Sequence, residues 1–225
     1  DFDKFYVESI ANYIIGDSAS VTFDLEPKYL KVRGINEIMV SDSLRARLYP
    51  SDNQVIFKQG RDFQFKGLIS IGNYRFRAQR YDFTFDKYII QFPKLDSMTF
   101  LPKFKDGTVA AKEAGGRFQY QDGYLILSPE NDKAGRLGVA AYPKFIAPKG
   151  VKVFFDEKWR LNGAYDTNFY FKSGRLELDS LTRKQPIFPG DFYSKNKVFP
   201  PLKVTLKLRE DYTFGFNYNQ VLPIP

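Results

Sequence analysis

Glu177 and Asp179 stand two residues apart, the spacing that puts two carboxylates on one face of a strand, and Asp82 sits among polar neighbours in the same kind of pattern. Two carboxylates are the minimum equipment for glycoside hydrolysis, one as acid and the other as base or nucleophile. The competing explanation is the solvated face of an amphipathic strand, and the alternation around these residues favours it. The 225 residues contain no Cys and no His. Their absence removes the conventional structural zinc site, the Cys or Ser–His nucleophile systems and imidazole acid–base chemistry. A hard cation would want carboxylates and carbonyls clustered in a loop, and Asp1-Phe2-Asp3 and Asn131-Asp132 are too sparse for that. Gly115-Gly116 lacks the Lys-Ser/Thr of a phosphate-cradling loop. The sequence therefore assigns no catalytic residue, no metal ligand and no cofactor. It reads as non-enzymatic, with a carboxylate-based glycan-active enzyme or a glycan-binding module as the alternative.

Basic residues interleaved with rings are the sharper signal. Tyr74-Arg75-Phe76-Arg77-Ala78-Gln79-Arg80-Tyr81 has the composition of a single-stranded nucleic-acid binder, which joins cations to stacking aromatics. Alternation, however, puts Arg75 and Arg77 opposite Tyr74 and Phe76, so rings and charges fall on different faces. Arg45 and Arg47 alternate in the same way with Leu44, Ala46 and Leu48. Arg45, Arg47, Arg75 and Arg77 are together the candidate surface for a polyanion. The formal charge is +8, from 34 Lys and Arg against 26 Asp and Glu. Such a balance suits anionic partners, although a solvated basic surface is the plainer explanation. The partners expected are an anionic glycan, lipopolysaccharide or another segment of a parent protein, ahead of nucleic acid.

These residues need elements to position them, and the dominant pattern is period two. Val21, Phe23 and Leu25 alternate with polar residues, as do Phe63, Phe65, Gly67, Ile69 and Ile71. Gly72-Asn73 then signals a turn into Tyr74, Phe76 and Ala78, followed by Tyr81, Phe83 and Phe85. The inward set expected is Phe63, Phe65, Ile69, Ile71, Tyr74, Phe76, Phe83 and Phe85, with Arg75 and Arg77 outward. With 23 Phe and 15 Tyr against one Trp and two Met, the composition also leans towards pleated surfaces. Phe118 to Leu127 suggests a hairpin turning at Asp122-Gly123. Ser128 to Gly150 and Pro186 to Pro201 read as irregular. Alternation resumes from Val151 to Leu178 and again at Val204, Leu206 and Leu208, with a last strand through Tyr212, Phe214, Phe216 and Tyr218. Phe5 to Ile15 is the remaining helical candidate.

The fold class expected is all-β, as an elongated, loosely repeated β-roll or solenoid-like stack, with a twisted β-sandwich or barrel as the alternative. The repeat rests on three Asp-Ser corners, at Asp42-Ser43, Asp96-Ser97 and Asp179-Ser180. Two of them follow a glycine strand and an Asn-aromatic strand. Lys105 to Gly116 is the best boundary, giving an N-terminal β region, 1–104, and a C-terminal one, 105–225, packed as one continuous unit. No apolar run is long enough to cross a bilayer as a helix. No cationic start with an apolar stretch marks a signal peptide, and the opening Asp1-Phe2-Asp3 suggests a mature product or an excised fragment.

The block Phe57-Lys58-Gln59-Gly60-Arg61-Asp62-Phe63-Gln64-Phe65-Lys66-Gly67, with Phe83-Thr84-Phe85-Asp86-Lys87-Tyr88 and Leu95-Asp96-Ser97, resembles a known group of sequences. So do Asn131-Asp132-Lys133-Ala134-Gly135, Tyr142-Pro143, Phe154-Phe155-Asp156, Leu178-Asp179-Ser180-Leu181 and Asp211-Tyr212-Thr213-Phe214-Gly215-Phe216. Together they resemble the C-terminal region of very large, uncharacterised exported proteins of Bacteroidetes-type bacteria, from about Leu30 onward. The resemblance implies export, a periplasmic or cell-surface location and membership of a much longer polypeptide. It carries no activity and no site residues.

Overall fold

The structure, a computed structural model, describes residues 2–8, 13–24, 29–102, 117–119, 122–133, 136–154, 168–194, 198–209 and 214–219. These residues form two antiparallel sheets, one of them curled into a half-barrel, with no α-helix. The larger sheet takes β1 (Phe2–Glu8), β2 (Tyr13–Asp24), β3 (Tyr29–Ser41), β4 (Ala46–Pro50), β5 (Gln54–Phe57), β6 (Phe63–Ile71), β7 (Tyr74–Thr84), β8 (Ile89–Phe92) and β9 (Ser97–Phe100). The smaller sheet begins with β10 (Arg117–Gln119), and β11 (Gly123–Ile126) and β12 (Lys144–Ala147) return to the larger one. β13 (Lys152–Phe154) and β14 (Tyr170–Lys172) belong to the smaller sheet, and β15 (Leu176–Leu178) closes the path of the larger. β16 (Ile187–Tyr193), β17 (Leu202–Leu208) and β18 (Phe214–Gly215) complete the smaller sheet.

The β6–β7 hairpin, turning at Gly72-Asn73, shows how the sequence builds this body. Seven of the eight residues expected inward are buried, and the eighth, Phe85, packs against the core while half-exposed. Cross-strand partners on the inner face stack their rings, Phe63 on Phe83 at 4.6 Å and Phe65 on Tyr81 at 4.9 Å. Such pairs add about 0.5–1.5 kcal/mol each beyond their burial. A register shift between Phe65 and Gly67 sets Gln79 and Arg80 against Lys66. This bulge restores the rings of Tyr81 and Phe83 to the inner face after two consecutive exposed residues. One contiguous core then joins Phe65, Phe76 and Phe145 of the larger sheet to Phe171, Phe188 and Leu206 of the smaller.

The sheets are joined by one bent ribbon. β12 pairs with β15 on the larger sheet, and their continuations β13 and β14 pair on the smaller. Ala147 faces Leu176 before the bend and Lys152 faces Lys172 after it, so one strand takes an extra residue around the corner. Strands that switch sheets through a bulge are how two packed sheets acquire corners. Gly150 sits at the bend with φ +76°, where a Cβ would meet the carbonyl oxygens of Ser173 and Gly174.

The all-β expectation holds. Its layout is consistent with the sandwich or barrel alternative: in the first unit β6, β7 and β8 share a sheet, whereas the corresponding strands of the second, β14 and β15, belong to different sheets. A stack of equivalent coils would treat them alike. The Asp-Ser corners are nonetheless turns at strand ends. Ser41 Oγ accepts from the Leu44 amide at 3.3 Å, the Asp96 amide donates to the Arg77 carbonyl, and Ser180 Oγ donates to the Ala140 carbonyl at 2.5 Å.

Other expectations are corrected. The helical candidate Phe5 to Ile15 falls on β1 and β2, which pair with each other. Phe118 and Leu125 form no hairpin, because β10 joins β13 while β11 runs between β8 and β12. Gly123 is a strand residue there, its Cα against Phe92 and the Ile146 carbonyl, with no room for a side chain. The irregular stretches each contain a strand, β12 and β16. Pro189 is tolerated because β14 reaches only to Asp191, leaving β16 one-sided at the proline. The boundary segment Lys105 to Gly116, and Trp159, Leu161, Gly163, Tyr165 and Tyr212, lie outside the described residues.

Candidate functional site

Register brings three of the four candidate arginines onto one surface. Arg47 on β4 pairs with Ser70 on β6, Ser70 with Arg75 on β7, and Arg75 with Thr99 on β9, one row across four strands. Directly paired residues point to the same side of a sheet, so Arg47 and Arg75 stand about 10 Å apart on the outer face. Arg77 lies one row on, paired with Leu68 and Ser97, and is exposed. Arg45 belongs to the turn before β4, where its Nη2 donates to the Thr182 carbonyl at 3.3 Å.

Their environments differ. Arg47 is ion-paired to Glu37 at 3.1 Å. The Arg75 guanidinium donates to Ser70 Oγ, to the Tyr74 carbonyl at 3.0 Å and to the Gly72 carbonyl at 3.3 Å. Further along the same sheet, Asp82 sits between Lys58 at 2.9 Å and Arg80 at 2.8 Å, and Lys66 meets Asp52 at 3.2 Å. Much of the cationic character of this face is thus balanced within the protein.

The carboxylates proposed for acid–base work are held in similar pairs. Glu177 meets Lys144 at 3.4 Å, and Asp179 meets Lys184 at 2.6 Å. That hydrogen bond from Lys184 lowers the Asp179 pKa. At Asp82 burial pushes the pKa up, but the hydrogen bonds from Arg80 and Lys58 outweigh it and hold the group below the ordinary carboxylate value. A glycosidase acid needs the opposite shift. Asp132 is buried and accepts from the amides of Arg136 at 2.8 Å and Leu137 at 3.0 Å, so it fixes its own loop. Among the described residues no three acidic side chains converge as a metal site would require.

The smaller sheet carries a second basic surface that the sequence reading passed over. Leu202, Val204 and Leu206 of β17 are buried, so Lys203, Thr205 and Lys207 face outward, with Arg209 following. They border a groove of about 940 Å³ that runs to Arg175 on the turn between β14 and β15. Asp191, across from Lys203 in register, is the single carboxylate of its lining. Neither Lys203 nor Lys207 has an ion pair among the described residues. The next row on the same face is aromatic: Phe154, Tyr170 and Tyr193 pair in sequence, and the two tyrosines stack at 4.8 Å and 14°. Lys152 Nζ covers the Tyr170 ring at 3.9 Å. The signal was available, since the lysines alternate with the apolar residues already read as a strand. What hid the groove was the pairing of β17 with β16, a segment whose prolines read as loop.

Compared with family models, curated proteins and solved structures, the chain matches none of them.

Proposed function

We propose that this chain is a non-catalytic structural or interaction module of a large exported or cell-envelope protein, and that its partner is anionic. The observation carrying this reading is the outward basic pattern on both sheets: Arg47, Arg75 and Arg77 on one, Lys203 and Lys207 on the other. Export and membership of a longer polypeptide come from the sequence resemblance. The ion-paired, low-pKa carboxylates Asp82 and Asp179 support binding ahead of carboxylate catalysis.

A flexible polyanion is attracted to such faces without being read, and the attraction decays within about 8 Å at physiological salt. The test is a salt titration of binding to an acidic glycan, to lipid A vesicles and to single-stranded DNA. Salt-sensitive binding to the glycan or the vesicles supports the reading. Tight DNA binding that persists at high salt overturns the choice of partner, and no binding to any of the three overturns anion recognition altogether.

A further inference from the structure

We infer that the groove on the outer face of β16 and β17 is a binding site for an acidic linear polysaccharide; this rests on the anionic-partner reading and gives it a place and a ligand class. Strand geometry sets the argument. Lys203 and Lys207 lie four residues apart on β17, so their Cα atoms are separated by about 13 Å, and Arg209 extends the row by about 7 Å. One small anion cannot reach all three cations, whereas a chain with a charge on each repeating unit can. The groove volume, about 940 Å³, lies at the upper end of what small-molecule sites occupy and suits several sugar rings. Its two lysines are available, because Asp191 is the single carboxylate in the lining and Lys203 and Lys207 are without ion pairs among the described residues, whereas Arg209 donates to Asn217 Oδ1 at 3.1 Å and Arg175 pairs with Glu177 at 3.8 Å.

The aromatic row decides between a sugar chain and single-stranded nucleic acid. Bases bind by stacking on open ring faces. Here Tyr193 stacks on Tyr170 and Lys152 Nζ also sits over that ring, so Tyr170 is a poor platform for a base. Phe216, the ring that does border the groove, packs against Phe192 at 5.1 Å. Tyrosines stacked in this way offer hydroxyls at their edges, which donate to and accept from sugar hydroxyls and carboxylates. Tyr193 is two residues along β16 from Asp191, the partner of Lys203, so these edges lie one row beyond the groove's lining on the same face.

The probe is an oligogalacturonate, which bears a carboxylate on every sugar, with its methyl ester as the uncharged control. The protein is expected to bind the acid and not the ester. Lys203→Gln with Lys207→Gln, both at exposed positions, should weaken binding about tenfold or more. Arg47→Gln with Arg77→Gln, on the other basic face, should weaken it less than the lysine pair does. Lysine acetylation mapped on the unmodified sequence should show Lys203 and Lys207 protected by the oligomer, which decides the matter even if the lysine variant fails to fold. Equal binding of the ester, unchanged binding and no protection at the two lysines, or loss in the arginine variant alone overturns the groove as the site; in the last case anion recognition survives on the larger sheet. Binding to single-stranded DNA but not to oligogalacturonate overturns the sugar assignment. No binding to any anion removes the anionic-partner reading itself.

Discussion

The Val151 amide donates to Ser173 Oγ at 2.9 Å, and the Ser173 amide donates back to the Val151 carbonyl at 2.9 Å. This reciprocal pair sits where the ribbon bends from one sheet into the other, so it satisfies backbone groups that have left both ladders. Gly150 beside it turns the chain with φ +76°.

Gly150→Ala should therefore be among the costliest single substitutions in the protein. The added Cβ would meet the Ser173 and Gly174 carbonyls in a left-handed conformation, for a loss of about 2–3 kcal/mol. Gly138→Ala is the control: its φ is +59°, but the space around it is open, so it should cost about 1 kcal/mol. Denaturant midpoints of the two variants measure the difference, and equal midpoints would remove the corner's special role.

Two buried tyrosines should respond oppositely to loss of their hydroxyls. Tyr88 Oη donates to the Val40 carbonyl at 2.7 Å across the core, and Tyr88→Phe should cost about 1–2 kcal/mol. Tyr81 Oη is buried with no hydrogen-bond partner among the described residues. Tyr81→Phe should be neutral or slightly stabilising, because it removes a polar atom that gains nothing from its place. Thermal unfolding of both variants reads the contrast.

Alkaline pH should unfold the protein through its phenols. Burial raises the Tyr74 pKa, and burial followed by the nearby Asp96 charge raises that of Tyr81, with Arg77 opposing weakly. In the unfolded chain both titrate at about 10. Above that pH the folded state holds protons that the unfolded chain releases, so stability is full below about pH 10 and declines above it. Phenolate absorbance should show these two groups ionising only as the fold is lost.

Asp82 sets the corresponding acid limb. Its carboxyl is held low by Arg80 and Lys58 despite burial that pushes it up. The stability it contributes is present above about pH 4, the unfolded value, and is lost as pH falls through the lower folded one. Asp82→Asn should cost about 1 kcal/mol at neutral pH, mostly through Lys58, since Arg80 is largely exposed. Stability curves of the variant should be flatter between about pH 4 and pH 2.

How much of this could be read beforehand depended on distance along the chain. The faces of β6 and β7 followed from alternation, because a strand's period is a local property of Phe63, Phe65, Ile69, Tyr74 and Phe76. The Asp-Ser corners were legible as places where strands end but not in their bonding, since the Asp96 amide reaches Arg77 and Ser180 Oγ reaches Ala140, both far along the chain. Pairing is non-local: nothing near Gly123 says that it lies against Phe92, and nothing near Pro189 says that β14 stops at Asp191. The larger sheet's arginines stand out because they alternate with rings at Arg75 and with aliphatic residues at Arg45 and Arg47. Lys203 and Lys207 were passed over because their strand looked ordinary until β16 and Arg175 were placed around it.

The bent ribbon has a thermodynamic consequence for whatever enters the groove. Arg175 belongs to its turn, and β16 hydrogen-bonds to its β14 arm, so the groove's wall and floor hang from the corner that Val151 and Ser173 pin. A cleft held in this way is preorganised. Little backbone motion must be frozen when a ligand arrives, so apart from ordering the lysine side chains the entropic penalty falls on the incoming polymer. Stiff acidic chains should then be retained better than floppy ones of equal charge, a preference that comes from the chain's own rigidity rather than from any added contact.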